Sequence, residues 1–311
     1  MNKKNFKFDY DLTALSTYTR EVADEMLLKE VLGLTLPRYA SVRANIRGTE
    51  KVPFMTNSLV FQDGKSCGFN SSGSTTLDQV LIETTTEKIN MELCPYELYD
   101  VFLTERLRQS NFQEEVPFEA QLVQDIANRM GNRMETQLFQ ATKSGGDEFD
   151  GLDALLVTGN GVNQITYTAL TSSNGVDVVA QVVENIPSNV IHRDDLGIMV
   201  NYSDYRAYVN ALRNSSTLNL FSFDDAGAME GQEFMVMVPG TRIPVVPSVG
   251  VPSGTIIAGP MSYIQVGLNT TDSNGMTIKA FYDEGEDVVK VIGRQTYGLG
   301  VFAIESFVVA R

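Results

Sequence analysis

Residues Glu114 to Gly146 read EEVPFEAQLVQDIANRMGNRMETQLFQATKSGG, and this stretch decides the fold. Phe118, Leu122, Ile126, Met130, Met134 and Leu138 recur every four residues, and Val123, Ala127 and Phe139 widen the apolar stripe. Gln121, Gln124, Asp125, Asn128, Asn132 and Gln137 fall on the other side, the pattern of an amphipathic helix. Glu114 and Glu115 before Pro117 suit a first turn, by charge and by the missing proline N–H. Gly145-Gly146 is a natural stop. A helix over 117–144 makes a rod of roughly 40 Å, well beyond the globular average. It needs a long surface to lie against.

Upstream the character is different. Short β-like runs at Ser41–Ile46, Ser58–Gln62, Val80–Thr86 and Lys88–Leu93 flank polar, glycine-bearing stretches. Asp63-Gly64-Lys65-Ser66-Cys67-Gly68-Phe69-Asn70-Ser71-Ser72-Gly73-Ser74 has almost nothing apolar to bury. Thr75–Asn90 alternates in part, placing Thr and Glu between Val80, Ile82 and Ile89, as in a two-sided ribbon. A long hairpin whose tip lacks core residues is not stable alone and either flops or lies on another molecule; Ser58–Ser74 has too little apolar side chain to fold by itself, so its order is expected to come from a neighbour. Before it, Asp11–Leu32 reads as an amphipathic helix through Leu12, Leu15, Val22, Met26 and Leu27, stopped by Gly33. It is either a core helix or an arm packing on a neighbour.

Downstream of Gly151 the pattern is compact α/β. Val176–Ile186 is a helix with Asn174 as its cap, Gly197–Asn201 a buried strand, and Ser203 caps a helix through Leu212. Phe234–Val238, Ile243–Val246 and Thr255–Ala258 are short strands between Pro and Gly turns. Met276–Tyr282, Val288–Ile292 and Leu299–Val309 end the chain as strands, with breaks expected at Gly293 and Gly298. Gly159-Asn160-Gly161 reads as a turn, because Gln164 stands where a dinucleotide fingerprint needs glycine.

Chemistry is conspicuously sparse. One histidine, His192, and two cysteines, Cys67 and Cys94, cannot build a structural zinc site. His192 before Arg193-Asp194-Asp195 reads as a polar turn. A nucleophile elbow and a phosphate loop are both missing. Asp147, Glu148, Asp150 and Asp153 lack the spacing of a calcium loop, and Asp283, Glu284, Glu286 and Asp287 read as a solvated hairpin tip. The balance of 24 basic to 39 acidic residues, net −15, opposes tight nucleic-acid binding. A membrane-spanning run and a secretory signal are lacking, so a cytoplasmic protein with reduced thiols is expected. No enzyme and no cofactor are expected.

The order of N-terminal helix, extended hairpin, long helix, compact α/β region and returning strands resembles the Hong Kong bacteriophage capsid fold. Tailed-phage major capsid proteins and encapsulins share that lineage. Asp125–Glu135 with its exit before Gly151-Leu152 is similar to the family's spine helix. Arg242–Pro247 followed by Gly254–Gly259 is similar to its strand pair near the end of the axial domain. The resemblance implies an α+β chain in four parts: an arm at 1–36, an extended loop at 37–92, a peripheral domain at 93–165 and 272–311, and an axial domain at 166–271. It further implies a major capsid protein that self-assembles as hexamers and pentamers into an icosahedral virion shell around double-stranded DNA, in a bacterial host. Scaffolding, portal and decoration proteins would be partners, DNA only a weak and non-specific one, and no membrane. Contacts between subunits would involve Asp63, Lys65 and Phe69 of the loop and Leu12, Leu15 and Val22 of the arm. Lys65 lies near the loop tip, but the family's lysine–asparagine cross-link is not carried over to it. Two other readings stand beside this one: an encapsulin-like compartment, and a cytoplasmic α/β enzyme whose lid is residues 56–76.

Overall fold

A computed structural model describes residues 23–64, 71–94, 118–145, 147, 149–157, 160–167, 169–214, 236–270, 276–283, 285–286 and 288–311. In chain order the elements are α1 (Ala23–Gly33), α2 (Thr35–Tyr39), β1 (Ser41–Ala44), β2 (Thr49–Leu59), β3 (Gly73–Leu93) and α3 (Phe118–Gln140). Then follow α4 (Leu152–Leu155), β4 (Asn163–Ile165), α5 (Gly175–Glu184), β5 (Leu196–Asn201) and α6 (Tyr202–Asn214). The rest is strand: β6 (Val236–Met237), β7 (Pro244–Ser248), β8 (Ile256–Pro260), β9 (Ile264–Leu268), β10 (Thr277–Asp283), β11 (Val288–Val301) and β12 (Val308–Ala310).

These strands form two six-stranded sheets. The first runs β1-β9-β11-β3-β2, with β10 beside the other end of β11; the second runs β4-β12-β8-β5-β7-β6. The sheets therefore take strands from both sides of positions 165 and 271: β9 lies in the first sheet, β4 and β12 in the second. Two apolar cores follow. One unites Leu27 and Val31 of α1, Ile126, Met130, Met134 and Leu138 of α3, and the strands of the first sheet. The other packs Val178, Val179 and Val182 of α5 and Tyr208 of α6 on Ile198, Val245 and Ala258 of the second sheet.

The 23-residue α3 is the long helix the four-residue apolar repeat predicts, and Ile126, Met130, Met134 and Leu138 of that repeat are buried. It ends at Gln140 rather than near residue 144. The reason is local: the Asp147 carboxylate accepts the Thr142 N–H at 2.9 Å, Asp150 accepts that of Lys143 at 2.8 Å, and Ala141 C=O accepts from Gly151. Acids that looked like a charge cluster thus close the helix by competing for its last turn. Pro117 and the segment before it lie outside the described residues.

The described part of the N-terminal helix, α1, is a core helix of its own subunit: Leu27 and Val31 are fully buried, and Gln124 donates to Glu30 at 2.7 Å. Asn174 holds the N-cap position of α5, where its carbonyl accepts the Val178 N–H, whereas Ser203 is displaced as the cap of α6. The side chain of Asn174 accepts from Thr171, with no bond into α5, and the residue that caps α6 is Asn201, whose Oδ1 accepts the Ser203 N–H at 3.0 Å. The strands around Pro244 and Ile256 are not partners of each other. β7 pairs in parallel with β5 on one side, and β8 pairs antiparallel with it on the other.

The largest correction concerns β11. Gly293 and Gly298 do not break it; both lie inside one 14-residue strand. A Cβ on Gly298 would overlap the carbonyl of Glu83, and one on Gly293 would sit 2.8 Å from Met130 Sδ. These glycines let β3 and α3 approach, a use of glycine that periodicity cannot distinguish from a turn.

Candidate functional site

With a core this complete, the surface that asks for a partner is the β2–β3 hairpin. β3 has 21 residues and two successive neighbours. Leu93 back to Glu83 pairs with β11, and Glu83 back to Gly73 pairs with β2 in register Thr49↔Glu83 to Leu59↔Gly73. Beyond Glu83 the sheet has narrowed to a two-stranded ribbon, about 35 Å long at the usual strand rise.

Its root is firmly built. Ile46, Val52 and Ile82 form a small buried cluster with Phe302, and Phe54 meets Phe302 edge-on at 5.4 Å between ring centres. Thr84 returns both its N–H and its hydroxyl to Gly48 C=O, at 3.0 and 2.7 Å. Glu83 pairs with Lys143 at the exit of α3, and Glu87 accepts from Gln295 at 3.0 Å while facing Arg133 at 3.5 Å. The Lys143 ammonium is pushed above its ordinary value by the hydrogen bond it donates to the Glu83 carboxylate.

Past the root the ribbon is bare. Residues 57–64 and 71–79 are all exposed. Because side chains alternate, the register sorts them by face. Odd positions of both strands share one face: Lys51 with Leu81, Pro53 with Gln79, Met55 with Leu77, Asn57 with Thr75. Even positions share the other: Glu50 with Ile82, Val52 with Val80, Phe54 with Asp78, Ser58 with Ser74. Outside the root, then, one face carries Met55, Leu59, Leu77 and Leu81 among the uncharged Asn57, Thr75 and Gln79, and the other Ser, Thr and Asp. Leu59 and Leu77 are each 76% exposed, and Phe61 just beyond is 94% exposed. Leu59 and Phe61 lie inside Ser58–Ser74, the segment expected to have too little apolar side chain to fold by itself, and both are exposed; Met55, Leu77 and Leu81 extend the apolar run beyond that segment. The odd-numbered alternation 53, 55, 59, 61 was the available signal.

Of the expected contact residues, Asp63 is exposed near the ribbon's end. Lys65, Phe69, Leu12, Leu15 and Val22 lie outside the described residues. Among the described residues no three His, Cys, Asp or Glu side chains come together as a metal site. His192 sits exposed in a turn, and Cys94 is an exposed thiol. Asp153 binds Arg311 at 2.7 Å, and at the β10–β11 tip Asp283 and Glu286 hold Lys290 at 2.7 and 2.5 Å. Both carboxylates raise the Lys290 ammonium above its ordinary range. Among the described residues no helix is long and apolar enough to cross a membrane.

No protein-family model matches the chain, and no curated protein matches it by sequence. Solved structures do match in fold. The virus-like particle from Pyrococcus furiosus is 12% identical over 93% of this chain and 97% of that one, with a TM-score of 0.53. The satellite phage P4 procapsid including size determination (Sid) protein is 9% identical over 92% and 98%, with 0.57. The capsid of the empty GTA particle is 14% identical over 88% of each chain, with 0.56. At such identities the likeness shows the fold: an α+β chain with the architecture of phage-type capsid shell proteins, matched over nearly its whole length.

Proposed function

We propose that this chain is the major capsid protein of a tailed bacteriophage, self-assembling as hexamers and pentamers into an icosahedral shell around double-stranded DNA. The observation that carries this reading is the ribbon: a rigidly rooted hairpin that leaves its own subunit and ends in exposed apolar side chains. A two-stranded ribbon is marginal in water, so such a length fits a protein whose normal state supplies a neighbour. A fold match over about nine-tenths of the chain to subunits of closed particles supports the same reading. In this reading 1–36 is the arm, 37–92 the loop, 93–165 with 272–311 the peripheral domain and 166–271 the axial domain. Scaffolding, portal and decoration proteins would attach to the shell, and DNA would touch its wall weakly. The net charge of −15 suits a wall that confines DNA without gripping it. Catalysis has no part in it.

The similarity to the Pyrococcus furiosus particle favours one second reading, a compartment of the same fold around a protein cargo. Negative-stain microscopy of the expressed chain tests the first step: closed particles of uniform size are expected, and monomers under all salt and crowding conditions would exclude both. Particles from the native host then separate the two, by nuclease-protected DNA or by a copurifying protein.

A further inference from the structure

The two faces of the ribbon have different origins. Within the body, the odd positions of β3 face α3: Glu83 meets Lys143, Glu87 meets Arg133, and Ile89 lies beside the Gly293–Met130 contact. Leu81, Leu77, Met55 and Leu59 continue that same face beyond the exit of α3. It is the helix-covered side of a sheet, carried past the end of its helix. The even face, by contrast, meets the body at the root through Val52 and Ile82 and is polar beyond.

Charge divides the same way. From the root to Leu59 and Gly73 the odd face carries one charged side chain, Lys51, while Glu50 and Asp78 stand on the even face. A chain of net −15 repels its own copies wherever acids meet, so the odd face, with four large apolar side chains, one lysine and no acid between Lys51 and Leu59, is the face suited to another copy. The exposed apolar area is on the order of a few hundred Å², below what a stable pair needs on each side. It therefore fits one of several simultaneous contacts rather than a binary complex with a separate partner.

We infer that the hairpin docks on a second copy of this chain through its odd-numbered face, Met55, Leu59, Leu77 and Leu81, with the exposed Phe61 just past the paired ladder, and leaves its even face to solvent. This rests on the shell reading above and adds to it which side is buried. The second copy supplies the cover that α3 gives the rest of the sheet.

The test uses the full chain and reads particle formation against protein concentration. Met55→Ser with Leu77→Ser, a cross-strand pair on the odd face, should raise the concentration needed for particles about a hundredfold or more, since two large side chains lose their burial. Phe61→Ser, outside the paired ladder, should act in the same direction. Ser74→Lys with Thr76→Lys on the even face should leave that concentration within about threefold, because solvent-facing substitutions are near neutral. A photo-reactive benzophenone side chain in place of Met55 should cross-link copies within particles, and one in place of Thr76 should not. This readout does not depend on the serine variants folding. Particles that cross-link only from Thr76, or that tolerate both odd-face changes, would overturn the inference and leave the shell reading standing. A wild-type chain that forms no particle at all would remove both.

Discussion

Glu135 lies on the buried side of α3 and is only 4% exposed, yet it is ionisable. Its carboxylate accepts from Ser248 Oγ at 2.5 Å and from the Thr35 N–H at 3.2 Å, and the Ser248 hydroxyl in turn accepts the Gly250 N–H at 3.1 Å. One side chain thus ties the start of α2 and the end of β7 to the long helix. Glu135→Ala strands a buried hydroxyl and a backbone N–H, and should cost about 3 kcal/mol, read as a lower urea midpoint. A midpoint within experimental error of the wild type would mean that water replaces both bonds. Arg193 and Asp195 make a second such knot where the sheets meet: Arg193 grips Asp195 in two bonds of 2.7 and 2.8 Å, stacks 4.7 Å from the Tyr263 ring, and Ser262 also donates to the carboxylate. The Arg193 bond, aided by Ser262, holds the Asp195 carboxyl at about 2, against an ordinary 3.8. A depressed carboxyl stabilises the fold fully above its ordinary value, and that contribution is lost as pH falls through its folded one. Between about pH 4 and 2, Asp195→Asn should therefore show a shallower loss of stability than the wild type. Parallel curves would remove this pair from the acid response.

At the scale of elements, α3 and β11 show what a sequence can and cannot express. Six apolar residues at spacing four leave α3 no alternative to a helix, so its existence and its buried face are legible from one strand of text. Its C-terminus is not, because Asp147 and Asp150 act through a loop that folds back on Thr142 and Lys143. β11 is the converse case: Gly293 and Gly298 read as turns, and only the register against β3 and α3 shows them as places of contact. Two glycines separate these meanings experimentally. Gly298→Ala pushes a methyl into the Glu83 carbonyl and should destabilise by several kcal/mol, as overpacking against backbone has no soft neighbour to yield. Gly131→Ala, in the middle of α3, meets only Leu34 Cδ2 at 3.5 Å, an ordinary contact, and should stabilise by about 0.5–1 kcal/mol through helix propensity. Equilibrium denaturation of both variants checks the opposite signs. Equal effects would mean that the two positions share one environment.

At the scale of the whole molecule, the apolar surface is divided between what one chain covers and what it leaves open. The hairpin was legible as an extended element because its middle lacks core residues. Which of its faces is apolar was not, since Met55, Leu59, Leu77 and Leu81 come from two strands whose register is fixed only on pairing. Reach and folding can be separated here, because the root of the ribbon is buried in its own subunit while residues 57–64 and 71–79 are exposed. Replacing Val60–Ser72 by Asn-Gly would join Leu59 to Gly73, residues already opposite each other, through a favoured two-residue turn. The ladder from Thr49 to Leu59 and the Ile46–Val52–Ile82 cluster would remain, so the shortened chain should keep the wild-type circular dichroism and a melting point within a few degrees. Phe61, the most exposed large apolar side chain among the described residues, would be gone with the end of the ribbon. Sedimentation should then show folded subunits or small oligomers where the full chain gives closed particles. An enzyme lid predicts a different result, a folded monomer with or without residues 60–72. Normal particles from the shortened chain would show that the end of the ribbon is dispensable, and would move the assembly contact back to the face between Lys51 and Leu59.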